Sequence, residues 1–320
     1  MITCLVTGGA GFIGSHLVEA LLKINYRVRV LDNFMTGKRQ NISSILSHIQ
    51  FIEGDLRDFE TVRKAAEAVD FIFHLGALPS VPRSIQDPIT SNEVNIQGTL
   101  HVLEAARQMR VKRVIFSSSS SVYGDSPLLP KREDAVPNPL SPYAVTKLAG
   151  EYYCKVYYKI HGLETVCLRY FNVFGPKQDP TSQYAAAIPR FINALLVNKP
   201  PLVYGDGEQS RDFTYVENVV QANILAIKAP EAPGKIFNIA YGKRITVNEL
   251  IKTLNTLLGK NIQPVYESSR PGDIRHSLAD ISQARQILGF SPTVTLEEGL
   301  RRSIAWFVNK SESEPAVGGQ

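Results

Sequence analysis

The chain has 320 residues, 44% of them apolar, and a formal net charge of +5. That length buries a full core in one large or two modest domains, and ordinary glycine and proline contents exclude collagen-like or disordered character. No basic block concentrates the 35 Lys and Arg, which argues against nucleic-acid binding and suits an anionic small-molecule substrate. Cys4, Cys154 and Cys167 are odd in number, lack metal-ligand spacing and read as reduced core residues. The six histidines form no metal-binding pair, so no metal is expected. No apolar run approaches the roughly 20 residues of a membrane span, and the first strand leaves no room for a leader. A cytoplasmic protein with no membrane partner is expected.

Along the chain, Ile2 to Val6 is a buried strand and Ser15 to Leu22 has helical periodicity. Between them Gly8, Gly11 and Gly14 recur at every third residue, bracketing Phe12 and Ile13. Glycines so placed suit a tight strand-to-helix turn, a pyrophosphate against backbone N–H groups, and close helix–sheet packing. The next strand, Tyr26 to Leu31, ends in Asp32, where an acid meets the adenosine ribose hydroxyls. A carboxylate there repels a 2′-phosphate, so NAD is expected over NADP. Ile49 to Glu53, Phe71 to Leu75 and Arg113 to Ser117 are further short strands, with helices over Thr61 to Ala68 and Gly98 to Met109 between them. This alternation predicts an α/β fold, a doubly wound parallel (Rossmann) sheet with helices on both faces. After Phe174, Pro176, Pro180, Pro189, Pro200 and Pro201 break the pattern. A smaller C-terminal α/β substrate-binding domain is expected over 175–310, after a cofactor domain over 1–174 that 212–240 rejoins, and before a flexible tail over 311–320.

Asp55 follows the third strand and is placed to accept from an adenine amino group, whereas Asp58 suits the N-cap of the next helix. His74-Leu75-Gly76-Ala77 ends the fourth strand with small residues that let a cofactor pass close to backbone, and His74 reads as a packed strand residue. Ser117 to Ser121 end the fifth strand, where hydroxyls can both donate to and accept from a sugar hydroxyl. Tyr143 and Lys147, four residues apart, share one helix face. A free phenol has a pKa of roughly 10. A neighbouring ammonium, or the positive ring of an oxidised nicotinamide, favours the phenolate and makes Tyr143 a candidate general base or acid.

These motifs, followed by Leu168-Arg169-Tyr170-Phe171-Asn172-Val173-Phe174-Gly175-Pro176, occur in an order that resembles the extended short-chain dehydrogenase/reductases. Within that family the chain is similar to nucleotide-sugar 4-epimerases, from Met1 to about Val308. The resemblance implies NAD held by Gly8, Gly11, Phe12, Ile13, Gly14, Asp32, Asn33, Asp55, Leu56, Leu75, Ala77, Tyr143 and Lys147. It implies a UDP-sugar held by Ser80, Ser120, Ser121, Tyr143, Asn172, Gln178, Ala186, Arg211, Arg270, Asp273 and Ser277. Of these, Asn172, Arg211 and Arg270 take the diphosphate, for which Arg offers a planar fork of donors. Catalysis falls to Tyr143, Lys147, Ser119 and Ser121, and the resemblance suggests a homodimer through the Tyr143 helix.

Related 4,6-dehydratases carry an Asp-Glu pair where Ser120 and Ser121 stand, and UDP-glucuronate decarboxylases carry Glu at Ser121. With no carboxylate at either place, dehydration and decarboxylation are disfavoured and epimerisation through a transient 4-keto sugar remains. Ser80-Val81-Pro82-Arg83-Ser84 and Arg275-His276-Ser277-Leu278-Ala279-Asp280 are similar to UDP-N-acetylglucosamine 4-epimerases, with one departure at Pro79, where those enzymes tend to have Gly. Ser277 lies where epimerases restricted to unmodified hexoses carry Tyr. The expected reaction interconverts UDP-N-acetylglucosamine and UDP-N-acetylgalactosamine, with UDP-glucose and UDP-galactose as further substrates. The alternatives are a UDP-glucuronate 4-epimerase and, from another class, an NAD-sensing scaffold protein.

Overall fold

Apolar runs of four to seven residues build the centre of the molecule. In the computed structural model, which describes residues 1–180, 187–269 and 274–313, they form one parallel sheet of seven strands. The strands are β1 (Thr3–Thr7), β2 (Arg27–Asp32), β3 (Gln50–Glu53), β4 (Phe71–His74), β5 (Arg113–Ser119), β6 (Glu164–Tyr170) and β7 (Ile236–Ile239). Their spatial order is β7-β6-β5-β4-β1-β2-β3. The reversal between β1 and β4 is the mark of a doubly wound Rossmann sheet, whose ligands gather outside the carboxyl ends of the strands at that switch point.

Helices cover both faces, as parallel strands require. On one side lie α1 (Phe12–Lys23) and α7 (Val216–Lys228), whose Leu17, Val18, Leu21, Val219 and Ala222 join Val6, Val30, Phe73 and Ile115 in one apolar cluster. On the other side lie α2 (Phe59–Ala65), α4 (Gly98–Gln108) and α5 (Pro142–His161), which bury Val62, Val102, Leu103 and Cys154 against Leu5, Ile72, Val114 and Phe116. The short α3 (Val81–Gln86) precedes α4 in the chain, with a π-helical turn over Glu93–Gln97 leading into it. The three cysteines are buried in these cores as free thiols.

Most boundaries shift by one to three residues from the sequence expectation, and two of the shifts have a clear local reason. The Asp58 carboxylate accepts from Glu60 N and Thr61 N, so α2 starts two residues before Thr61. Strand β5 runs on to Ser119 because Ser118 and Ser119 still pair with Arg169 and Tyr170 of β6.

Beyond Phe174 a third apolar cluster forms around α6 (Ala187–Leu196) and α8 (Val247–Leu258), joined by Leu300 and Phe307 of α9 (Leu296–Ser313). Small two-stranded pairings, such as Leu202–Tyr204 with Val265–Glu267, complete it. The chain interrupts this region to send α7 and β7 back to the main sheet, where Ile236 to Ile239 pair with Cys167 to Tyr170.

Helix α5 packs tightly onto the sheet at Gly150, where a Cβ would stand 2.3 Å from the Phe116 ring. Alanine at an unconstrained helix position stabilises relative to glycine, but overpacking here outweighs that gain, for a net loss of about 1–2 kcal/mol. Gly150→Ala should therefore lower the urea midpoint of unfolding with an unchanged m-value.

Candidate active site

The site starts at the switch point. Gly8 leaves β1 with a left-handed φ of 71° and donates its N–H to Leu31 O at 2.8 Å. A Cβ on Gly8 would lie 2.8 Å from Gly76, and one on Gly14 only 2.1 Å from Gly8 O. Only hydrogen fits at either place. The N-cap of α1 is Gly11, with no side chain folded back onto the first N–H groups. Those donors, with the positive end of the helix dipole, form a cradle for a pyrophosphate.

The cradle opens into a cleft of about 580 Å³. Gly8, Gly11, Phe12, Ile13, Gly14, Asp32, Asn33, Asp55, Leu56, Leu75 and Ala77 all line it. Burial pushes the Asp32 carboxyl up, against the pull of two backbone donors. Those donors, Ala10 N at 2.9 Å and Phe34 N at 2.8 Å, aim the carboxylate along the cleft wall. Arg39 is turned away, paired with Glu53 at 3.0 Å and stacked 4.7 Å over the Phe34 ring. Asp55 differs from expectation: Arg57 N, Nε and Nη2 and Asn33 Nδ2 occupy its oxygens at 2.8–3.0 Å. An adenine amino group must displace one of these donors, because a carboxylate has about four acceptor positions. The glycine cradle, the acid at the end of β2 and the length of the cleft fit a dinucleotide.

At the other end of the cleft stand Ser117 to Ser121, Tyr143 and Lys147. Helix α5 begins at Pro142 because Ser141 caps it, its hydroxyl accepting from Ala144 N at 3.2 Å. Buried Ser84 of α3 accepts from Tyr143 N at 3.0 Å, which ties the start of α5 to the loop after β4. One turn on, Lys147 Nζ donates to Ser117 O at 2.8 Å and lies 5.9 Å from the centre of the Tyr143 ring. Burial pushes the Tyr143 phenol up to about 12, partly offset by its hydrogen bond with Ser119. Burial likewise pulls the Lys147 ammonium down to about 8, against Cys154 and Glu151, which hold it up. Burial thus raises the phenol, whereas the ammonium and an oxidised nicotinamide are expected to favour the phenolate. Desolvation outweighs an ammonium that is itself engaged with a carbonyl. Ser119 also accepts from Ser121 N at 3.1 Å, and the buried Ser121 Oγ has no hydrogen-bond partner among the described residues.

His74 is a packing residue, as expected: its ring lies between Thr7 Oγ1 at 2.8 Å and Thr99 Oγ1 at 2.9 Å, and burial drops its pKa to about 3. Among the described residues no cluster of His, Cys, Asp and Glu could hold a metal, and no helix is long and apolar enough to cross a membrane.

A second cavity of about 270 Å³ shares Asn172 and Val173 with the cleft. It is lined by Phe191, Leu202, Val203, Tyr204, Gln209 and Arg211 among others, with Arg190 stacked 5.6 Å over Tyr204. Asn172 sits between the cavities, its Nδ2 donating to Asp212 O at 3.3 Å. Gln178 lines the cleft and donates to Val173 O at 3.2 Å. Ser80 and Ser277 do not figure among the described residues that line the two cavities. Ser80 caps α3 by accepting from Arg83 N. Ser277 is buried, with its N–H donated to Ser210 O at 3.0 Å, beside Arg211. Ala186, Arg270 and Asp273 lie outside the described residues. Sequence reasoning gave no role to Ser84, Arg190, Tyr204 or Glu151. Only Glu151 carried a local signal, standing four residues after Lys147 as Lys147 does after Tyr143.

The sequence profile of the NAD dependent epimerase/dehydratase family matches residues 4–240. A UDP-N-acetylglucosamine 4-epimerase from Methanobrevibacter ruminantium, solved with UDP-N-acetylmuramic acid, is 43% identical with a TM-score of 0.93, over 97% of this chain and 99% of that one. A UDP-glucuronic acid 4-epimerase from Bacillus cereus, solved with UDP-glucuronic acid and NAD, is 37% identical with a TM-score of 0.90, over 97% and 100%. The UDP-glucose 4-epimerase of Mycolicibacterium smegmatis is 38% identical over 312 residues, covering 96% of this chain and 99% of that protein.

The cradle makes its own test. Gly14→Ala puts a methyl group against Gly8 O, so the purified variant should release far less nicotinamide dinucleotide on denaturation than the parent protein. Equal release from both would mean that the loop does not grip the pyrophosphate.

Proposed function

The chain belongs to the NAD dependent epimerase/dehydratase family, as an NAD-dependent epimerase, and from that premise we propose that it is a UDP-sugar 4-epimerase whose substrates are UDP-N-acetylglucosamine and UDP-N-acetylgalactosamine. The observation that carries the reaction type is the end of β5. Ser119 meets Tyr143 there, and Ser120 and Ser121 line the cleft where, by the family resemblance, dehydratases and decarboxylases carry carboxylates.

NAD, when bound along the cleft, supplies the oxidising and then the re-reducing chemistry at sugar C4. Tyr143 takes the proton of the 4-hydroxyl and later returns it. Ser119 shares the hydrogen bond to that oxygen, and the unpartnered Ser121 Oγ offers one more. Lys147 holds the nicotinamide ribose and adds positive charge beside the phenol. A phenol that its surroundings raise to about 12 is a poor base until further positive charge reaches it. Asn172, Arg211 and Arg270 take the diphosphate, and the cavity walled by Phe191, Leu202 and Tyr204 takes the uracil. Epimerisation would require the 4-keto sugar to present its opposite face to the bound cofactor before Tyr143 returns the proton to the C4 oxygen. By the family resemblance Ser277 stands where epimerases restricted to unmodified hexoses carry Tyr, and a serine there would leave room for an N-acetyl group on C2. Exposed Val145, Tyr152 and Val156 on one face of α5, near exposed Ile85 and Ile89, support a homodimer.

Tyr143→Phe should fold and keep its dinucleotide yet lose roughly 10²–10⁴-fold or more in turnover, the usual contribution of a general base. Near-parental turnover would remove Tyr143 from the mechanism. A coupled assay with four UDP-sugars tests the substrate. Both acetylated sugars should interconvert with no net NADH, UDP-glucose and UDP-galactose more slowly, and UDP-glucuronate not at all. Conversion of UDP-glucuronate alone would replace this reading. Ser277→Tyr should abolish the acetylated reaction and spare the unmodified pair; equal effects on both pairs would remove Ser277 as gatekeeper.

A further inference from the structure

One turn beyond the proposed acid–base pair lies a charged pair with almost no solvent contact. The Glu151 and Arg169 side chains are each 2% exposed, and Arg169 donates to Glu151 from Nε at 2.8 Å and Nη2 at 2.7 Å. Ser118 of the active-site strand donates to the same carboxylate at 2.5 Å, and the guanidinium stacks 4.6 Å over the Tyr123 ring. A buried pair of this kind is weak evidence for stability, since apolar residues of like volume often serve as well. What it faces is more informative. Tyr143, Lys147 and Glu151 follow one another at four-residue intervals on one face of α5, and Arg169 of β6 closes the row. The four charges sum to zero when Tyr143 is a phenolate and to one positive charge when it is a phenol.

We propose that Glu151 and Arg169 are positioning residues that set the charge state of Lys147, and through it the working protonation of Tyr143. The proposal rests on the reading of Tyr143 and Lys147 as the acid–base pair. The groups that face the ammonium are few among the described residues. Tyr143, Glu151 and Cys154 come from its own helix, the Ser117 carbonyl and Phe116 ring from β5, and His74, neutral through burial, from β4. Glu151 is the carboxylate of this set. Arg169 stands behind it and tempers its pull on Lys147. Ser118 fixes the carboxylate to the same strand whose next residue meets Tyr143.

The test is the pH dependence of kcat/KM for the holoenzyme and two variants. The alkaline limb of the parent profile should follow loss of the Lys147 proton. Glu151→Gln keeps the hydrogen bond with Ser118 but removes the charge, so that limb should move to lower pH by roughly one unit, the scale of one nearby charge. Arg169→Met leaves the carboxylate unopposed and should move it to higher pH. A purely structural role would lower activity in both variants without opposite displacements. If either variant fails to fold, the double variant Glu151→Gln/Arg169→Met decides, because it is neutral and keeps volume. Its alkaline limb should lie below the parent's, since the nearer charge has gone. Limbs that coincide with the parent's in the folded variants, beside an inactive Tyr143→Phe, overturn this proposal alone. Full turnover in Tyr143→Phe removes the acid–base reading and this proposal with it.

Discussion

The seam between α5 and β5 determines the rest of the site. Phe116 fills the space that a side chain at position 150 would need, and the helix packs onto the strand with that ring against its backbone. That contact places Lys147 at the Ser117 carbonyl and Tyr143 beside Ser119. The same seam closes the apolar cluster formed with α2 and α4, so the energy that buries Val102, Leu103 and Cys154 also holds the reactive groups in register. Groups held on rigid elements do not need to be ordered when substrate arrives.

The electrostatics follow from burial. Tyr143 and Lys147 are pushed in opposite senses, the phenol up and the ammonium down, because each would carry charge away from water. Each is therefore sensitive to any further charge brought close. Such a site responds strongly to a ligand because it is poorly screened. The outer end of the cleft is built differently: Asp55 is exposed enough to keep Arg57 and Asn33 as partners until adenine competes for them. Asp32, at the carboxyl end of β2, is aimed by backbone donors and makes no ion pair among the described residues.

Legibility in the sequence divides along chain distance. The glycine spacing, the acid ending β2, the Asp58 cap and the alternation of strand and helix are local patterns, and the fold follows them closely. The serine strand was readable because its hydroxyls interrupt an apolar run at its carboxyl end. Ser84 was not, because its partner Tyr143 lies 59 residues away and nothing in Val81 to Gln86 announces the contact. The wall made by Arg190 and Tyr204 depends on α6 meeting a short strand, and the pairing of Glu151 with Arg169 depends on helix meeting strand across 18 residues. The expected lowering of the Tyr143 phenol failed for a related reason. Spacing placed an ammonium next to it, whereas the depth of both groups decided which effect won.

The return of β7 to the sheet bears on how the chain is made. Strand β6 is complete once residue 170 has been synthesised, yet its outer neighbour begins only at Ile236. At roughly 5–20 residues per second, the gap lasts several seconds. During that time the backbone of Cys167 to Tyr170 is an open edge able to pair with another nascent chain. The face that α7 later covers is exposed for nearly as long. Ribosomes spaced closely on one message would bring such edges together, so the vulnerable moment for this protein falls after residue 170 is made and before Ile236 emerges.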